Sequence, residues 1–223
     1  MNNNRFVLLD LICYVVFPLA VWNITRDYIG DYYAMLLSSI PGIIYTIYRF
    51  KALKKVNFFG IYMIVTLVAG TLIDVLAGSA LQLLWNNVIF AYVMAGVFLL
   101  TILIRRPIAL YFALDFVELQ GYDRGFSKKL FYKKELLRWF NLIVVAYIFQ
   151  NVVLASVKVW LISEFGVEAF DKGIIIRQVI NWGLTFAIIG GFFYIGKVIK
   201  NSPGLIHEVQ KEVEQEKNKT REA

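Results

Sequence analysis

Two basic side chains, Lys158 and Arg177, lie inside hydrophobic stretches of this 223-residue chain, where a charge is expensive. At the centre of a bilayer a lysine or arginine costs at least about 2.5–3.5 kcal/mol, so such residues face a protein interior or water. Asp74, Asn86, Asn87, Asn151 and Asn181 are embedded in the same way. Lysine offers an anion a point charge, and arginine offers paired donors suited to phosphate or carboxylate. Helical spacing groups these residues. Lys158 and Asn151 are seven apart, Arg177, Asn181 and Thr185 follow at i+4, and so do Thr66, Gly70 and Asp74, and Gln82 and Asn86. The stripes predict one outward-facing cavity that binds an anionic ligand, with Asp74 as counter-charge or proton-coupling carboxylate. Two structural alternatives stand beside it: Asp74 pairs with a base and ties the helices together, or both bases snorkel to a nearby interface.

The elements that position these residues are membrane helices. With 59% hydrophobic and 17% charged residues, the chain is too apolar for a soluble domain. Apolar runs near the 20 residues a helix needs to cross hydrocarbon predict six spans, at about 6–23, 29–49, 58–77, 80–104, 137–162 and 174–198. The runs are continuous, not alternating, which favours helices over a barrel. The predicted fold is therefore all-α, a polytopic membrane protein of three helical hairpins spanning residues 1–200. A short interfacial helix is expected over 107–120. Pro18 and Pro41 should kink the first two spans. Gly183, Ala187 and Gly191 form a small-residue ridge for close packing. The charged tail, 201–223, is expected to fray, and its His207 to be a surface residue.

Of the 23 Lys and Arg residues, all but Arg26, Lys158, Lys172 and Arg177 fall in segments that six spans would put on one side. Positive charge stays cytoplasmic, so both termini are expected there. Trp22, Tyr28, Tyr32, Tyr33, Trp85 and Trp160 suit an aromatic belt. The net charge of +7 sits in loops beside the spans, where anionic lipid headgroups explain it better than nucleic acid does. The expected partners are the lipid bilayer and its anionic headgroups at the basic loops, with room for a membrane-protein partner or a homo-oligomer. Cys13 is the single cysteine, which excludes an intrachain disulfide and a thiolate metal cluster. The chain carries no phosphate-cradling glycine loop, no HExxH, no CxxC and no serine beside a base, so no enzyme, cofactor or metal is expected.

Two blocks carry a family resemblance. One is YYAMLLSSIPGIIYTIYRFKALKKVNFFGIYMIV, and the other is LLWNNVIFAYVMAGVFLLTILIRRPIALYF, with Trp85 entering a helix that ends at Arg105-Arg106-Pro107. Together they make the stretch from Tyr28 to about Ala113 resemble the bacterial intracellular septation protein A family of small inner-membrane proteins. The resemblance implies the bacterial cytoplasmic membrane and a role in septation or envelope maintenance, with no catalytic residues. Lys158 and Arg177 lie outside it. Two function classes follow: a non-enzymatic envelope factor or scaffold, and a small carrier or channel with an outer pocket for an anionic solute or lipid headgroup.

Overall fold

The computed structural model describes residues 12–52 and 57–222, and side chains over 12–48 and 57–215. Every regular element among them is helical. A π-helical turn, Ile12–Val16, leads into α1 (Phe17–Ile29), followed by α2 (Asp31–Ala52), α3 (Phe58–Val75), α4 (Ala80–Leu103), α5 (Ile108–Leu119), α6 (Arg124–Phe131), α7 (Lys134–Phe165), a 3-10 turn at Gly166–Glu168, α8 (Ala169–Lys200) and α9 (Pro203–Glu222). The start of the first expected span, with Arg5 and Asp10, and the basic turn at Lys54 and Lys55 lie outside the described residues.

Three helical stretches are long and apolar enough to cross a membrane: Phe58–Val75, Ala80–Leu103 and the run Lys134–Lys200, which holds α7 and α8. The latter two helices have 32 residues each, about 48 Å at 1.5 Å per residue, against a hydrocarbon core of about 30 Å. Each is therefore longer than a single crossing requires. The described part of the first expected span lies in the π-turn and the 13-residue α1, and α2 carries Pro41, Ser38, Ser39 and four tyrosines. Neither is among the three stretches.

Connections are tighter than the charge pattern predicted. Arg26 and Asp27, expected in an outer loop, belong to α1, and the break to α2 is Gly30 alone, whose φ of 79° glycine tolerates. The expected 163–173 connection shrinks to the turn at Gly166–Glu168. The α3–α4 turn around Gly78 and Ser79 falls where the sequence puts it. Pro18 stands just inside α1, where its missing N–H is tolerated, and the expected irregularity takes the form of the preceding π-turn. Pro41 is accommodated inside a continuous α2.

The chain divides into two compact units. The first comprises Met1–Met94 and Gln150–Gly183, and the second Ala95–Phe149 and Leu184–Ala223. The core of the first gathers Trp22, Ala34, Met35, Leu83, Leu84, Val88, Ala155, Leu161 and Ile162, among others. Trp22 is fully buried against Phe170, their rings 4.9 Å apart, so it is a core residue and no part of an aromatic belt. Tyr28, Tyr33, Trp85 and Trp160 are exposed.

In the second unit, α5 appears within one residue of each expected boundary. Its Asp115 is buried and pairs with Arg124 at 2.7 Å, and Arg124 also bridges Glu118. These bonds hold the Arg124 guanidinium even further above neutrality than usual. The tail does not fray as expected. It forms α9, which packs on α6, buries Val209 completely and places Glu208 and Glu212 at 2.7 and 2.8 Å from Lys133. Glutamates four apart share a helix face, which is why one lysine reaches both.

Candidate functional site

The embedded polar residues of the first unit are brought together by a hairpin and a helix pair. In the hairpin, the α3–α4 turn folds Asn87 back onto Asp74. Asn87 Nδ2 donates to Asp74 Oδ1 at 2.6 Å and to the Leu83 carbonyl at 2.9 Å. Tyr32, near the start of α2, donates its hydroxyl to the Val75 carbonyl at 2.7 Å and the Asp74 carbonyl at 3.3 Å. These are C-terminal carbonyls of α3 that lack partners within the helix, so the tyrosine both caps α3 and fixes α2 beside it.

In the helix pair, Gly173 sets how closely α8 approaches α7. A Cβ added there would lie 2.7 Å from Leu161 Cδ1 and 3.7 Å from Arg177 Cδ. Only glycine allows this approach without moving Leu161. One turn along from Gly173, Arg177 projects from α8. Lys158 stands on the buried face of α7, between Ala155 on one side and Leu161 and Ile162 on the other. Further along, Gln150 Nε2 donates to Asn181 Oδ1 at 2.7 Å and to the Asn181 carbonyl at 3.3 Å. Gln150 is a site residue that sequence spacing missed. Its amide sits in an apolar run directly before Asn151, which was the available signal.

Lys158 is the focal residue. It is 6% exposed, and both Asp74 and Arg177 lie within electrostatic range of it. Arg177 is partly buried beside it. Among the described residues, neither base makes a hydrogen bond or an ion pair within 4.0 Å. The obvious counter-ion, Asp74, spends its close contact on Asn87. One buried and one partly buried cation stand against one carboxylate, which leaves one positive charge uncompensated in a setting where a charge needs partners. Such a group of charges attracts and orients an anion. It offers no nucleophile, general base pair or metal-ligand set, and no group of three or more candidate metal-binding side chains occurs among the described residues.

The structure gathers some of the predicted site residues and leaves others apart. Lys158, Arg177, Asp74 and Asn87 form the charged cluster, while Asn181 is engaged by Gln150. Asn151 is partly buried on α7. Asn86, one position from Asn87, makes no hydrogen bond among the described residues, because the hairpin turns its neighbour toward Asp74. Gln82 is exposed and Thr66 donates to its own helix at the Tyr62 carbonyl, so of these two stripes only Asp74 joins the cluster. Of the small-residue ridge, Gly191 alone meets a close neighbour, Ile143 Cγ1 at 3.1 Å from an added Cβ, while Gly183 faces open space.

A cleft of about 700 Å³ adjoins the cluster. Its wall is formed by α2 residues Tyr33 to Ile43 with Ile29, and by Thr71, Asp74 and Val75 of α3. Asp74 belongs to both features.

Comparison of the chain with protein-family models, with curated proteins and with solved structures finds no match.

Proposed function

We propose that this chain is a six-span, non-enzymatic protein of the bacterial cytoplasmic membrane, with both termini cytoplasmic, that binds an anion at Lys158 and Arg177. The observation that carries the reading is the burial of Lys158 without a hydrogen-bonding or ion-pairing partner among the described residues. A protein that needed the lysine only to tie helices together would aim a carboxylate at it. Here the nearest acid is held by an asparagine instead. In the six-span topology the cluster stands at the outer ends of the hairpins. Carriage of the bound anion, or its retention as a structural or regulatory ligand, follows from the same site.

The septation-family resemblance supports a place in the cell envelope and, with it, a scaffold that recruits partners through its tail. The docking of α9 weighs against that role for the tail, since Val209, Glu208 and Glu212 are already engaged.

The test is ligand-dependent stability. Protein purified in detergent and stripped of lipid is heated with a panel of soluble and amphiphilic anions. A ligand at 100 times its Kd stabilises by about 2.7 kcal/mol, and for a chain of this size each kcal/mol raises Tm by about 2–4 °C. At least one anion should raise Tm by several degrees in the native protein and by much less in Lys158→Met and Arg177→Met. If no anion of either kind raises Tm, the reading is wrong.

A further inference from the structure

We infer that the anion held at Lys158 and Arg177 is the phosphodiester of a membrane phospholipid, one of whose acyl chains lies in the cleft between α2 and α3. The inference rests on the anion-binding reading above and names the ligand's class.

Three observations converge on it. The first is charge. The cluster carries one uncompensated positive charge, and a phosphodiester carries a single negative one, so one lipid neutralises the site.

The second is position along the bilayer normal. Lys158 is seven residues from the end of α7 and Arg177 eight from the start of α8, about 10 and 12 Å along helices that exceed the hydrocarbon thickness. Asp74 is next to the last residue of α3. The charges therefore stand near one face of the hydrocarbon layer, within reach of the headgroup region just outside it where lipid phosphates lie.

The third is the cleft itself. It begins beside Asp74, where Tyr32 clamps α2 to α3, and follows α2 from Tyr33 to Ile43. That is about 15 Å, half of a hydrocarbon core of about 30 Å, hence the depth of one leaflet. Apart from Asp74, Tyr33, Ser39 and Thr71, its wall is aliphatic. A volume of about 700 Å³ is in the ordinary range for a ligand site and is far larger than a phosphate ion needs. A free anion would leave this volume unused, whereas a lipid uses the charged end and the aliphatic trough together.

The experiment titrates lipid-stripped protein with dioleoyl phosphatidylglycerol and dioleoyl phosphatidylcholine and counts bound lipids by native mass spectrometry. Inorganic phosphate and glycerol phosphate are added as competitors. One phosphatidylglycerol per chain should be retained in preference to phosphatidylcholine, and millimolar soluble phosphates should not displace it. Lys158→Met and Arg177→Met should each weaken retention at least about tenfold, the loss expected when a charged hydrogen-bond partner is removed. Ile40→Trp fills the cleft without touching the charges and should weaken it similarly. Val65→Trp, on an exposed position of α3 outside the cleft, should leave it unchanged.

Equal retention of the two lipids, or full retention by Ile40→Trp, overturns the inference. If soluble phosphate binds and depends on Lys158 while lipid does not bind, the lipid is wrong but the anion site stands. If neither binds, both readings fall. Should the charge variants fail to fold, the Ile40→Trp result alone decides the lipid.

Discussion

Replacing Lys158 with methionine removes a buried charge while keeping a long, flexible, apolar side chain in its place, and the sign of the stability change tests the reading of the site. The unliganded native protein bears the desolvation cost of an ammonium group that has no close partner among the described residues. Insertion scales put a lysine at a bilayer centre at about 2.5–3.5 kcal/mol, and the cost falls toward the interface, where Lys158 stands. Methionine relieves that cost and the repulsion from Arg177, and forfeits a longer-range attraction to Asp74. A net gain of about 1–3 kcal/mol remains, which for a chain of this length raises Tm by roughly 2–12 °C. The measurement is thermal unfolding of lipid-stripped protein in detergent without added anion. Had Lys158 been one half of a structural ion pair, removing it would strand the other half, and about 3–5 kcal/mol would be lost. A fall in Tm would therefore refute the argument. A cycle with Asp74→Asn adds a second check, since a coupling energy above about 1 kcal/mol between the two sites would mark a direct bond that the geometry lacks.

Three other outcomes follow from the packing and from the second unit. Gly173→Ala should lower Tm by a few degrees, because its Cβ would sit 2.7 Å from Leu161 Cδ1 and overpacking costs about 1–3 kcal/mol, whereas Gly183→Ala, facing open space, should raise it slightly through helix propensity; equal shifts would remove Gly173 from the account. Arg124→Ala should destabilise by about 2–4 kcal/mol in chemical unfolding because it leaves Asp115 buried without this partner, while Glu118→Ala, at an exposed carboxylate, should cost under about 1 kcal/mol; equal losses would contradict the burial argument. Bonds to Glu208 and then Glu212 raise the Lys133 amine above its ordinary value of 10.5, so its contribution to holding α9 is complete below pH 10.5 and fades as pH rises through the higher folded value. Proteolysis of residues 203–215 should accelerate above that pH, and Lys133→Met should bring the faster cleavage to neutral pH; unchanged protection in the variant would mean that Val209 alone holds the helix.

The helices were legible wherever the determinant is local. Continuous apolar runs give α3, α4, α7 and α8, the Gly78-Ser79 turn falls where it was read, and α5 differs from expectation by one residue at each end. What the sequence misled on was contact between distant residues. Arg26 and Asp27 look like loop charges, yet a helix end tolerates them, while Trp22, read as a belt residue, is buried against the distant Phe170. The tail reads as solvated because its docking depends on one valine and two glutamates that meet a lysine about 75 residues away. The cluster shows the same limit. Spacing along α4 nominates Asn86 and Asn87 equally, and only the geometry of the α3–α4 turn selects Asn87. No pattern along α7 marks Gln150 as the partner of Asn181.

Most embedded polar groups of the first unit obey one rule; Asn86 and the indole of Trp22 lack a hydrogen bond among the described residues, but the two charged exceptions carry the functional argument. In hydrocarbon an unpaired polar group costs several kcal/mol, so each should find a partner within the protein. Ser38, Ser39, Thr46 and Thr66 donate to carbonyls of their own helices, Asn87 serves Asp74, and Gln150 serves Asn181. Lys158 and Arg177 do neither. Asp74 is close enough for electrostatic attraction, yet its carboxylate is engaged by Asn87 and forms no ion pair with Lys158 within 4.0 Å. On the proposed reading, a chain that leaves its two most expensive side chains open keeps that place for a partner from outside. The charge left over and the aliphatic trough beside Asp74 fit the proposed partner, anionic at one end and apolar along the rest.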